Sequence, residues 1–463
     1  MPVLDRRRSG VLLHPAALPG EQGALGAAAR SFVDWLAAAG FSVWQVLPLG
    51  PVGADRSPYW VRSDEAGNTA LIDRSEAPDP EQSHAAFAQF CEAQRGWLED
   101  YVLFAALSRA HGAAPWWTWP QPLRDRHPDA LRGAAAQLGP ELHALRVGQW
   151  QFAQQWSALR EYAHARGVRL YGDLPIYLAP DSVATWTQRA QFQLHADGSP
   201  ALLAGVPPDY FAADGQLWGN PLYDWEQARR DGFAFWRARV AAALRRFDLL
   251  RLDHFRGLAG YWAVPAGART ARDGQWLPAP GGELLAALRT VAGELPLVAE
   301  DLGVITADVV ALRRAFDLPG MRVLQFGFDG AADNPHLAHN FTQRTVVYTG
   351  THDNDTALGW YRTLDMATAQ RVDAYFGDAA VGAGAAGAGA GAMPQALVRA
   401  ALASVAVLAI MPVQDLLSLG SEARYNVPGT VGDNWRWRMA EGALTAELAA
   451  QYRRLNDTFG RMP

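Results

Sequence analysis

A chain of 463 residues with 49% hydrophobic residues can bury one large core, and its net charge of −6 gives nucleic acid no basic surface to grip. All 41 of its basic residues are arginines, since the sequence contains no lysine; a pyridoxal Schiff base and a phosphate-loop lysine are thereby excluded. The single cysteine, Cys91, permits no internal disulfide, as expected of a protein from a reducing compartment.

The first ten residues carry arginines but lead into no apolar stretch with a cleavage site, so no secretory signal is expected. The longest apolar stretch, residues 400–413, is interrupted by Ser404 and Pro412 and is too short to span a bilayer. The expected location is the cytoplasm, with neither nucleic acid nor membrane as a partner. The 18 tryptophans are either core rings or flat platforms on which sugar faces stack.

In chain order, a helical run at 24–39 is followed by an apolar strand at 41–47 and a Gly/Pro loop, 48–51, which is the grammar of an α/β barrel. The loop at 52–73 holds Tyr59 and Trp60, a pair that either lines a sugar site or closes the loop. Residues 80–167 are helical in pattern and rich in tryptophan (Trp97, Trp116, Trp117, Trp119), and no strand interrupts them; they read as a helical insertion packed on the barrel. Strand grammar resumes at 168–177 and delivers Asp173 at a strand end.

Residues 204–225, AGVPPDYFAADGQLWGNPLYDW, read as a long covering loop, a lid or binding wall, or a loop packed on its own rings Tyr210, Phe211 and Trp218. A helix at 225–247 leads into the short apolar run 247–250 and then RLDHFRG, so that Arg251, Asp253 and His254 fall where a buried strand becomes a loop. Three further strands, 295–299, 322–326 and 345–350, deliver Glu300, then Gln325 and Phe326, then His352 and Asp353. The Gly/Ala tract at 379–392 is low in complexity and reads as a mobile surface connection. A last barrel strand is expected at 404–410, then a loop with Gln414, Asp415 and Asn426, then a closing helix at 444–459. The whole chain is expected to be a single catalytic barrel.

Successive units of this kind bring Asp253, Glu300 and Asp353 to one mouth, because in a parallel barrel all strands end on the same rim. Two carboxylates are the minimum set for cleaving a glycosidic bond, and their environments must differ: one stays charged while the other keeps its proton. A guanidinium at Arg251 can hold Asp253 ionised and oriented as a nucleophile. Glu300 follows the apolar residues 296–299, and both those surroundings and its anionic neighbour raise its affinity for a proton, which suits an acid/base. Two other readings stand beside this one: a buried Arg251/Asp253 pair that satisfies only itself, and three acids around a divalent metal. Against the metal, Asp253 and Asp353 each adjoin a single histidine, without a spacing such as His-x-x-x-His.

The strings SGVLLHPAALPG, WQVLPLGP with SPY, AGN and LID, GDLPIYLAPDS, AGVPPDYFAADGQLWGNPLYDW, RLDHFRG with YWAVPAG, LVAEDLG, PGMRVLQF, NPHLAHN, VVYTGTHDNDT, and QDLLSLGSEARYNVPGT with NWRWR occur in this order along nearly the whole chain. In them the sequence resembles the amylomaltases, the 4-α-glucanotransferases or disproportionating enzymes related to the α-amylase clan. The resemblance implies a (β/α)8 TIM barrel with helical insertions on its C-terminal face, a retaining double displacement, and α-1,4-glucans and maltooligosaccharides as donor and acceptor, with no cofactor and no metal. Asp253 matches the family nucleophile, Glu300 the acid/base and Asp353 the transition-state stabiliser. Arg251, His254, His352 and Asp173 match residues that hold the sugar in the cleavage subsite. Tyr59, Tyr210, Phe211, Gln216, Trp218, Phe326 and Asn426 match positions lining neighbouring subsites or the loop over them.

The sequence departs from the family at Trp60, Arg62 and Thr69, in a shortened segment after Pro19, and in the Gly/Ala tract, which replaces a more ordered region. Transfer rather than hydrolysis is expected, since a loop at 204–219 stiffened by Pro207 and Pro208 can bind an acceptor sugar and exclude water.

Overall fold

Short β-branched and apolar runs separated by amphipathic helices fold here into twelve strands among the described residues: β1 Arg8–Leu12, β2 Val43–Gln45, β3 Arg169–Leu174, β4 Leu202–Val206, β5 Gln216–Pro221, β6 Leu249–Leu252, β7 Gly260–Pro265, β8 Gln275–Pro278, β9 Leu297–Ala299, β10 Gly320–Val323, β11 Thr345–Tyr348 and β12 Leu408–Pro412. The structure is a computed structural model that describes residues 3–20, 25–53, 55–208, 213–377, 388–430 and 432–463. Eight strands close into a barrel in the order β1-β12-β11-β10-β9-β6-β3-β2, and all of its pairings are parallel. The expected (β/α)8 architecture is therefore present.

The two-residue period of a strand decides what faces the lumen. On β6, Leu249 packs inside the barrel with Val298 of β9, Tyr171 of β3 and Val346 of β11, while Leu250 and Leu252 face the outer helices. One period further along, the inward positions are Arg251, Glu300, Asp173 and Tyr348. Hydrocarbon fills the lower lumen, and charge begins where the strands end.

Helices His84–Ala93, Arg95–Ala110, Gln121–Arg124, Pro128–Gln137 and Gly139–Ala165 lie between β2 and β3. Trp116 and Trp119 pack there with Phe104 and Trp186; these rings are core, not sugar platforms. The last of these helices continues onto the barrel, where Phe152 and Trp156 join Phe247 in the main core.

The chain from 204 to 225 is not a simple loop. β4 and β5 form a hairpin within a four-stranded antiparallel sheet, β5-β4-β7-β8. Glycine obscured this in the sequence. A Cβ on Gly205 would lie 2.4 Å from the Gln216 carbonyl oxygen, so this glycine marks close strand approach rather than a turn. Residues 209–212, with Tyr210 and Phe211, lie outside the described residues.

The Gly/Ala tract also departs from expectation at its end, because residues 388–392 open the helix Ala388–Ala403; residues 378–387 lie outside the described residues. The last barrel strand begins four residues later than expected. Buried Arg461 donates to the carbonyls of Leu402, Ser404 and Ala406, and those converging carbonyls fold the segment into a turn before β12 can start. Among the described residues no helix is long and apolar enough to cross a membrane.

Candidate active site

Asp253, Glu300 and Asp353 follow β6, β9 and β11, so all three leave the barrel at one rim. β6 and β9 are neighbours, with Arg251 opposite Val298, and β3 flanks β6 on its other side, with Asp173 opposite Arg251. That register sets the local chemistry. Arg251 Nη1 lies 2.8 Å from Asp173 Oδ2 and 2.7 Å from Asp253 Oδ1, so one guanidinium nitrogen joins both carboxylates. The Asp173 side chain is fully buried while that of Asp253 is 27% exposed; of the two acids, only Asp253 is open to a reacting molecule. Burial pushes the Asp173 carboxyl up against the pull of Arg251.

The network continues from Asp173. Tyr59 Oη donates to Asp173 Oδ2 at 2.8 Å, and the Tyr59 ring stacks on His352 at 5.1 Å and 17°. His352 Nε2 is 3.4 Å from Asp353 Oδ2, and Asn426 Nδ2 donates to Asp353 Oδ1 at 2.7 Å. Contacts thus run without a gap from Asp253 through Arg251, Asp173, Tyr59 and His352 to Asp353.

Glu300 is held differently. Its Oε2 accepts from the backbone N–H of His254 at 2.7 Å and its Oε1 from that of Leu302 at 3.0 Å. His254 has the left-handed backbone φ of 49°, uncommon for a residue with a Cβ, and in that conformation its N–H meets the carboxyl. Burial, followed by the charge of Asp253, raises the Glu300 pKa to about 8, opposed by Arg251 and the two amides. The half-buried His254 imidazole packs edge-on against Trp218 at 4.7 Å, and desolvation lowers its pKa to about 4, so the ring is neutral at neutral pH.

Gln216 Oε1 accepts from Trp218 Nε1 at 3.1 Å on β5, which joins this position to the wall beside His254. Phe326 sits on a short turn after β10 at the same rim, 43% exposed, with its ring edge-on to His336 rather than among the carboxylates. Of the three departures from the family pattern, Trp60 comes nearest the cleft wall: its ring tip would lie 3.5 Å from a Cβ on Gly219 of β5. Arg62 instead points into the insertion, donating to Ser108 Oγ at 2.5 Å, and Thr69 stands on a short helical turn facing Gly148.

Three contributors escaped sequence reasoning. Tyr177 packs 6.3 Å from Trp218, Trp435 lies 6.1 Å from Tyr59 and 5.9 Å from His352, and Arg424 donates to the Asp353 backbone carbonyl at 3.0 Å. Among the described residues no group of three or more His, Cys, Asp or Glu is arranged to hold a metal ion.

The family profile described as 4-alpha-glucanotransferase matches residues 13–79 and 74–445. The 4-alpha-glucanotransferase of Thermus thermophilus is 45% identical, over 98% of this chain and 99% of that protein. That of Synechocystis sp. is 42% identical over 99% of each. Among solved structures, the amylomaltase of Streptococcus agalactiae in complex with acarbose superposes with a TM-score of 0.92 at 32% identity, covering 99% of this chain and 100% of that one.

Proposed function

The chain belongs to the 4-alpha-glucanotransferase family, glycoside hydrolase family 77, and is an enzyme of that activity; from this premise we propose that it moves a segment of an α-1,4-glucan to the 4-hydroxyl of an acceptor glucose or glucan by a retaining double displacement. In the first half, an Asp253 carboxylate oxygen attacks the anomeric carbon while Glu300 gives its proton to the departing glycosidic oxygen. The donor's reducing-end fragment leaves as an alcohol, and the remaining glucosyl unit is an ester of Asp253. In the second half, Glu300, now a carboxylate, takes the proton of the acceptor 4-hydroxyl as that oxygen displaces Asp253. The bond that was broken is remade on another chain, with configuration retained.

The observation that carries this reading is the contrast between two acids on adjacent strands. Asp253 is partly exposed and paired with Arg251, whereas Glu300 is buried and holds its proton up to about pH 8. Asp353, oriented by Asn426 and facing His352, would bind sugar hydroxyls and favour distortion of the ring toward the oxocarbenium-like transition state. Arg251, His254 and His352 would hold the sugar at the cleavage point, with buried Asp173 acting through Arg251. Tyr59, Trp218, Gln216, Phe326 and Asn426 would line the flanking positions, as would Tyr210 and Phe211. Transfer requires sugar to reach the ester before water does, and the wall formed by β4 and β5 beside His254 is suited to receive it.

Incubation with maltotriose tests both halves. Products longer than the substrate are expected; glucose and maltose alone would make the enzyme a hydrolase. Asp253→Asn should lower turnover by on the order of 10⁴-fold while maltotriose binding persists, and undiminished turnover would remove Asp253 from the nucleophile role.

A further inference from the structure

On the outer wall of the barrel, at the end where β10 and β11 begin, a groove of about 380 Å³ is lined in part by Arg313, Arg314, Arg322, Arg344, Asp317 and Thr342. The four arginines come from three separate elements. Arg313 and Arg314 end the helix Ala307–Ala315, Arg322 stands on β10, and Arg344 immediately precedes β11. Their positive charge exceeds what the surrounding carboxylates neutralise. Asp301 is shared by Arg313, at 3.1 Å, and Arg322, at 3.2 Å; Asp317 pairs with Arg344; Arg314 has no ion pair among the described residues. Two positive charges are left over in a chain whose net charge is −6.

One donor in the wall is also unsatisfied. Arg313 Nε, although close to Asp301 Oδ2, is buried without an aligned hydrogen-bond acceptor. Basic residues in a last helical turn are accounted for by the helix dipole, which explains Arg313 and Arg314. It does not extend to Arg322 and Arg344, which reach the groove from β10 and from the residue before β11 and pair with Asp301 and Asp317. Arg313 and Arg322 also brace Asp301, the residue after Glu300, whereas Arg314 and Arg344 make no contact with the catalytic network described above.

We infer that this groove binds a small phosphate-bearing anion, such as a phosphate monoester. A phosphate group offers three acceptor oxygens and close to two negative charges, which matches a groove lined by arginines from three elements and the residual charge of the site. The volume admits a phosphate with a substituent about the size of a sugar. The proposal is independent of the roles assigned to Asp253 and Glu300.

Isothermal titration calorimetry of the full chain with inorganic phosphate, at ionic strength held constant with sodium chloride, tests it. The expected result is saturable binding at one site per chain, unaffected by saturating maltotriose. Arg314→Gln and Arg344→Gln should each weaken it about tenfold. Arg314→Gln should also keep full activity on maltotriose, which shows that the variant is folded. Absence of saturable heat, displacement of phosphate by maltotriose, or equal affinity in both folded variants would overturn the assignment.

Discussion

Replacing Glu300 by Gln should make the protein's stability less sensitive to alkali, and the size of the effect follows from the surroundings of the side chain. The acid has a pKa of about 8 in the folded protein against 4.5 for an ordinary glutamic acid. Between those values the folded state binds a proton that the unfolded chain has released, so this residue destabilises the fold progressively as pH rises through that window. At about 1.4 kcal/mol per pH unit, the destabilisation is about 3 kcal/mol at pH 7 and about 5 kcal/mol above pH 8. The amide of Gln carries no such penalty, but its NH2 must face the N–H of either His254 or Leu302, a conflict that costs about 1–3 kcal/mol at every pH. The variant should therefore be no more stable than the parent near pH 5 and more stable by about 2–4 kcal/mol at pH 8.5. Urea denaturation of both proteins from pH 5 to pH 9 measures the difference. A difference that stays constant across that range would refute the raised pKa of Glu300, and with it the assignment of that residue as the proton donor.

The same pKa sets the alkaline limb of kcat/KM: activity should fall tenfold per pH unit above about pH 8 as Glu300 loses its proton, and a limb at pH 6 or below would point to another acid. Tyr59→Phe removes a donor to buried Asp173, so stability should drop by about 1.5–3 kcal/mol and kcat/KM should fall with it; unchanged denaturation midpoints would mean that the 2.8 Å contact is not needed to keep Asp173 in place. Gly172→Ala on β3 puts a Cβ 2.3 Å from the Phe247 ring on the outer side of the barrel, and a loss of about 1–3 kcal/mol in urea titration is expected from the forced repacking. Wild-type stability there would show that Phe247 moves aside without cost.

The lumen and the rim were legible in the sequence because strand periodicity is local. Once Leu249 and Val298 face inward, Arg251 and Glu300 must do so as well, and both precede or begin a polar loop. The hairpin of β4 and β5 was not legible, since β7, which pairs with β4 from Leu202↔Pro265 to Gly205↔Trp262, lies far downstream and the hairpin's glycines resembled those of a turn. Trp435 and Arg424 were hidden for a similar reason. Nothing in their neighbours indicates that the chain returns to Tyr59 and Asp353 after closing the barrel.

The sequence by itself determined the barrel, the three acids at its rim and the guanidinium beside one of them, because each depends on residue types a few positions apart. Only the tertiary structure decided that a single Arg251 nitrogen joins Asp173 to Asp253, that His254 adopts a left-handed backbone to hold Glu300, and that Glu300 is buried deeply enough to keep its proton. Those properties depend on distances between strands and on the water excluded from between them, and neither is encoded in any one stretch of the chain.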